Sequence, residues 1–276
     1  MRRVTRTNST VGLEADGGLA RNHRAAVFVA ALVASAACFS LVPGDTLGGS
    51  LVQGAALAVL ALAAVGASNP RALRAPRLGS AGSLGPWAGY VAAIGLAAGV
   101  ASFFALPQGA VLDVAPLHVA QVVALCLVTG VFEEGVFRVL ALDALVPALG
   151  GSRRGMLRAA LVSAVLFGAL HVSLGEAVVA VDVVSGLQAV LKPVQAGLFG
   201  LFMAMVYFKT RNLWTLVGVH AAFNLFYSAP LLLAGDVQQT YVTGNPFDLV
   251  LLAATTLLLV PPALAAVRNV RDSTTP

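Results

Sequence analysis

Charge is what this chain has least of. Asp, Glu, Lys and Arg make up 11% of its 276 residues, against about 25% in an ordinary soluble domain. Hydrophobic residues reach 58%, and mean hydropathy is +0.88. A chain this poor in polar side chains cannot cover itself with a water-facing surface. That excludes a soluble globular domain and leaves lipid as the solvent. Cysteine is also scarce: Cys38 and Cys126 both lie in apolar runs. The pair excludes a disulfide framework or a CxxC site and reads as small core residues. No HExxH helix is present, so that zinc-peptidase signature is missing. No internal repeat or matched pair of broken helices points to an inverted-repeat transporter. The net charge of +5 and pI near 9.8 would suit nucleic acid. However, the basic residues sit in short turns between apolar runs and form no patch, so nucleic acid is not an expected partner.

What the chain has in abundance is long apolar runs. About 20 apolar residues cross a bilayer, and eight runs qualify: about 25–42, 51–67, 86–106, 116–141, 158–174, 194–208, 213–234 and 248–267. Gly, Pro and Ser clusters such as "PGDTLGGS" (43–50) and "LGGSRRG" (149–155) separate them. The runs do not alternate and are too long for barrel strands, so they are helices. The expected fold is all-α, a polytopic membrane protein of about eight transmembrane helices. Residues 1–24 read as a disordered tail, 25–267 as the membrane domain and 268–276 as a second tail. Arg2 and Arg3 do not make a twin-arginine signal, because the apolar run starts too far downstream.

Of the 17 Lys and Arg residues, all but Arg138 and Lys192 fall in the tails or in alternate turns. The positive-inside rule then places both termini in the cytoplasm, with the cell membrane as the expected location.

The polar residues that remain inside the runs carry the chemistry, because an ionisable group in lipid is costly. "FEEGVFR" (132–138) holds Glu133, Glu134 and Arg138. Glu134 and Arg138 are i, i+4 and meet on one helix face. Glu133 is rotated about 100° away and is left to point elsewhere. "LFGALH" puts Phe167 and His171 four apart, and "VHAAFN" does the same for His220 and Asn224. Each pattern also fits a structural role: an ion-pair brace, a hydrogen-bonded packing histidine, or a polar link between helices. Together they supply what peptide hydrolysis needs: a base for water, a second proton-handling group, and donors for an oxyanion. Asp143, His118, Asp113, Glu176, Asp182 and Asp248 lie near helix ends and are assigned no chemistry.

This set resembles the CPBP family of intramembrane endopeptidases, the CAAX proteases and bacteriocin-processing enzymes. Its EExxxR motif reads here as Glu133, Glu134 and Arg138. FxxxH reads as Phe167 and His171, and HxxxN as His220 and Asn224. The resembling core runs from about 116 to 230. The resemblance implies an intramembrane endopeptidase opening to the cytoplasm, whose substrate is a peptide or protein in or at the membrane. CAAX-like C-termini and leader peptides are the family themes. It implies Glu133 as general base, assisted by His171. His220 and Asn224 would form the oxyanion site, and Glu134 with Arg138 the supporting ion pair. No cofactor is favoured. The alternative is a zinc metalloprotease with Glu133, His171 and His220 as ligands, an arrangement that would leave a coordination position open for water. A non-catalytic immunity or scaffold role is the further alternative. One mismatch stands out: measured from Arg158, His171 lies about 20 Å along its helix, deeper than Glu133.

Overall fold

A computed structural model describes residues 10–76, 82–172, 182–235 and 240–272. Lipid offers no partner to backbone N–H and C=O groups, so each apolar run closes its hydrogen bonds internally as a helix. The order is α1 (Thr10–Leu41), α2 (Leu47–Ser68), α3 (Gly85–Phe104), α4 (Pro116–Glu134), a π-helical segment (Gly135–Leu140), α5 (Ala141–Ala148), α6 (Arg153–Ala169), α7 (Val183–Thr210), α8 (Leu213–Leu233) and α9 (Pro246–Asp272). α4, the π segment and α5 form one continuous rod, so the described residues make eight rods. Seven are long and apolar enough to cross a membrane. The exception, α6, has 17 residues. The protein is an all-helical, polytopic membrane protein.

The helix starts are set by side chains. Thr46 accepts from the Gly49 amide at 3.1 Å, Ser152 from Gly155 at 3.2 Å, Asp182 from Ser185 at 2.9 Å and Asn212 from Thr215 at 2.9 Å. Each satisfies an amide that the first turn of a helix leaves orphaned.

Several boundaries differ from expectation. α1 begins at Thr10, well before residue 25; residues 1–9 and Glu176 lie outside the described residues. The fourth span was expected to end at residue 141, before Asp143 and Pro147, yet the rod continues to Ala148. The sixth was expected to begin at 194, after Lys192 and Pro193. α7 instead starts at Val183 and carries both inside it. In each case a charged residue that looked like a boundary has found partners within the bundle.

α4 is central. It packs on α2 and α8, while α7 packs on α6 and α9, and α3 on α8. The π segment begins directly after Glu134. Such wide turns recur at functional sites. Gly135 lets the rod approach α2 closely: a Cβ there would come within 3.1 Å of the Ala61 Cβ.

Asp143 is the third buried charged residue on this rod, after Glu134 and Arg138, at 7% exposure. It accepts from Asn69 Nδ2 at 2.6 Å and from the Tyr207 hydroxyl at 3.0 Å, and Arg211 Nη1 lies 3.4 Å away. Arg211 adopts φ +49°, the left-handed turn that joins α7 to α8. One carboxylate therefore ties together the ends of α2, α5 and α7. Asp143→Ala should lose roughly 2–4 kcal/mol, since it removes the acceptor of the buried Tyr207 hydroxyl and the half-buried Asn69 amide. Thermal melts in detergent check this; an unchanged midpoint would show that the network is dispensable.

Candidate active site

Three helices bring the motif residues to one place. α4 supplies Glu133 and Glu134, the end of α6 supplies Phe167 and His171, and α8 supplies His220 and Asn224. Glu133, Phe167, His171, His220 and Asn224 all line a cavity of about 100 Å³. At about 30 Å³ per water, it holds a few waters and no more.

The two glutamates sit in different surroundings. The Glu133 side chain is 19% exposed and Glu134 is fully buried. His220 lies between them, with Nδ1 donating to Glu134 Oε1 at 2.6 Å and Nε2 3.3 Å from Glu133 Oε2. Sequence spacing had given Glu134 only Arg138 as a partner and left Glu133 unpaired. Glu134 instead bridges Arg138 and His220, and Glu133 has His220 beside it. Spacing along one helix cannot reveal a partner on another.

Arg138 is fully buried, with Nε 3.2 Å from Glu134 Oε2. The angle falls outside hydrogen-bond geometry, and neither Nη1 nor Nη2 has a hydrogen-bond partner among the described residues. Charge attraction and a ring hold it instead: Cζ lies 3.9 Å from the centre of Phe167. A desolvated cation–π contact of this kind is worth about 2 kcal/mol. Phe167 also meets His171 at 4.5 Å and Phe137 at 5.3 Å between ring centres. The aromatic residue of the second motif is thus the surface on which both Arg138 and His171 rest. Gly200 makes the space, since a Cβ there would come within 3.0 Å of Arg138 Nη2 and 3.2 Å of the Phe167 ring.

His171 lies two residues past the end of α6. Its Nδ1 is 2.7 Å from the Phe167 carbonyl oxygen. A carbonyl only accepts, so Nδ1 carries the proton and Nε2 is the ring's acceptor. The apparent depth mismatch with Glu133 disappears here. α6 starts at Arg153, five residues before the assumed point, and both side chains reach the same cavity.

Residues 115–226 match the family profile described as type II CAAX prenyl endopeptidase Rce1-like. The chain carries an Rce1-like domain. No curated protein and no solved structure matched the chain. The match nearly coincides with the expected core of about 116–230 and contains all three motifs. The likeness of residues 115–226 to this family suggests peptidase activity and a peptide substrate.

The Rce1-like domain also holds a residue that sequence reasoning passed over. Lys192 on α7 is 8% exposed and lines the same cavity as Glu133. Its ammonium donates to Gln195 Oε1 at 3.0 Å and lies 3.7 Å over the Tyr241 ring. The signal was present, because Lys192 broke the charge rule that fifteen arginines and lysines obey. A loop assignment had explained it away.

Zinc fits the domain poorly. Both ring nitrogens of His220 face carboxylates, at 2.6 and 3.3 Å. Among the described residues no three His, Cys, Asp or Glu groups come together closely enough to hold a metal ion. A second cavity, of about 490 Å³, adjoins the first and shares Lys192, Tyr227, Ser228 and Tyr241 with it. It is lined by the far ends of α3 and α8 and the near ends of α7 and α9. These are the ends away from the basic turns.

If Arg138 neutralises buried Glu134, Arg138→Met should cost about 3–5 kcal/mol by stranding a charge. Adding Glu134→Gln should restore part of that loss. Melting curves of both variants decide it, and an additive double variant would rule out the coupling.

Proposed function

We propose that the chain is an intramembrane endopeptidase that hydrolyses a peptide bond with water activated by Glu133. The contrast between adjacent glutamates carries this reading. Glu134 is sealed between Arg138 and His220, whereas Glu133 borders a water-sized cavity. Only Glu133 is placed to meet both water and substrate.

In this reading Glu133 takes a proton from water as the oxygen attacks the scissile carbonyl carbon. The carbonyl oxygen becomes an oxyanion. In this reading His220 carries a proton on each ring nitrogen, so that Nδ1 donates to Glu134 while Nε2 and the Asn224 amide, one helical turn apart, donate to the oxyanion. Glu134 fixes His220 through Nδ1, so that Nε2 is the nitrogen turned toward the reaction. His171, anchored by the Phe167 carbonyl, offers Nε2 as a second acceptor that holds the attacking water. The proton on Glu133 then passes to the departing amine as the C–N bond breaks. No step passes through a metal. A membrane-associated protein, a CAAX-like C-terminus or a leader peptide fits the substrate class. The cell membrane, with both termini cytoplasmic, is the location that fits the basic turns.

A non-catalytic immunity or scaffold protein is the competing reading. The complete set of polar groups around the cavity favours catalysis, because each is costly to keep in lipid without a task.

Glu133→Gln should lower the cleavage rate of purified protein at least about 100-fold while leaving its melting temperature near that of the wild type. Candidate substrates come from comparing membrane proteomes of deletion and wild-type cells. Full activity in Glu133→Gln would sink the mechanism. A chelator should leave the rate unchanged; inactivation reversed by added zinc would show that metal chemistry is required.

A further inference from the structure

We propose that Lys192 is a specificity-determining residue that bars basic side chains from the positions flanking the scissile bond. The proposal rests on the peptidase reading above and specifies which substrates the catalytic cavity turns away.

The charges around that cavity do not balance. Glu133 and Glu134 are the anions. Arg138 lies 3.2 Å from Glu134, and His220, protonated on both ring nitrogens in the reading above, lies between the two glutamates. Those two cations already match the two anions. Lys192 on α7 is a third cation, buried, and it lines the small cavity together with Glu133. Among the described residues no carboxylate lies within ion-pair distance of it. Asp248 lines the larger cavity and not the smaller, and it accepts from the Thr243 hydroxyl at 2.7 Å.

A surplus cation in lipid is costly, yet several contacts hold this one in place. Its Nζ donates to Gln195 Oε1 at 3.0 Å and lies 3.7 Å over the Tyr241 ring. Gln195 in turn donates to Thr255 Oγ1 at 2.5 Å, and Thr255 donates to the Leu251 carbonyl at 2.8 Å. Tyr241 and Thr255 lie beyond the matched residues 115–226, so α9 and the segment before it supply the lysine's support.

The benefit lies in what the cavity excludes. A catalytic carboxylate in a low dielectric attracts cations. A substrate lysine or arginine that entered the cavity would pair with Glu133 and occupy the base. In a space of about 100 Å³, which holds about three waters, every entrant comes close to each lining charge. The surplus positive charge repels a second cation and leaves apolar side chains free to pack on Phe199 and Phe223. Like charges brought together suppress wrong partners strongly, and a built-in repulsive group is one of the two ways to discriminate against a competitor.

The test uses purified full-length protein and two internally quenched peptide libraries. One has lysine and the other norleucine at the two central positions, and the remaining positions are randomised without basic residues. Mass spectrometry reports cleavage at the central bond. Wild type should cleave the norleucine library there roughly 10- to 100-fold faster in kcat/KM. Lys192→Met should bring that ratio close to one, and Lys192→Arg should keep it. Lys192→Gln, which retains a donor for Gln195, carries the comparison if the methionine variant loses its melting transition. The ratio is the readout, because a lysine that only supported the fold would change both libraries alike. Binding of the libraries to Glu133→Gln protein, with and without Lys192→Met, repeats the comparison without turnover. Equal cleavage of both libraries by wild type overturns the charge filter and leaves the peptidase reading intact. A binding preference that Lys192→Met abolishes, with no cleavage by wild type, supports the filter and overturns the peptidase reading. A ratio unchanged in the neutral variants shows that Lys192 is not its source and overturns the filter.

Discussion

A charge inside a bilayer cannot be left to water, and much of this protein follows from that constraint. Glu134 has no exposure at all. Arg138, a turn further along the rod, and His220, on α8, both approach it. That demand fixes how α4 and α8 lie against each other, because an ion pair tolerates little displacement in a low dielectric. The Phe167 ring then covers the guanidinium that Glu134 cannot satisfy, which locks α6 to the same point. Three helices are thus brought into register by one buried carboxylate. The neighbouring Glu133 inherits a fixed position without contributing to the brace.

The same logic works at the other end of the rod. Asp143 gathers Asn69, Tyr207 and Arg211, and so holds the turn between α7 and α8 through its unusual backbone geometry. Both networks lie on the rod that contains the π segment. A rod pinned at Glu134 and Arg138 and again at Asp143 is a stiff support for Glu133. Stiffness matters because misplacement by an ångström can cost about 100-fold in rate.

The sequence made the architecture legible, because lipid imposes helix on every long apolar run and leaves few alternatives. The motif residues were legible too, since ionisable groups in such runs are rare enough to stand out individually. What spacing could not reveal was partnership across helices. His220 read as an oxyanion donor beside Asn224, and its tie to Glu134 emerged only when α4 and α8 were packed together. Boundaries failed for a related reason. Asp143 looked like a residue at a helix end and Lys192 like one in the turn before the sixth span, whereas Asn69, Tyr207 and Gln195 make it possible to bury them. A charge is a boundary marker only when no partner is available, and partners are set by tertiary packing.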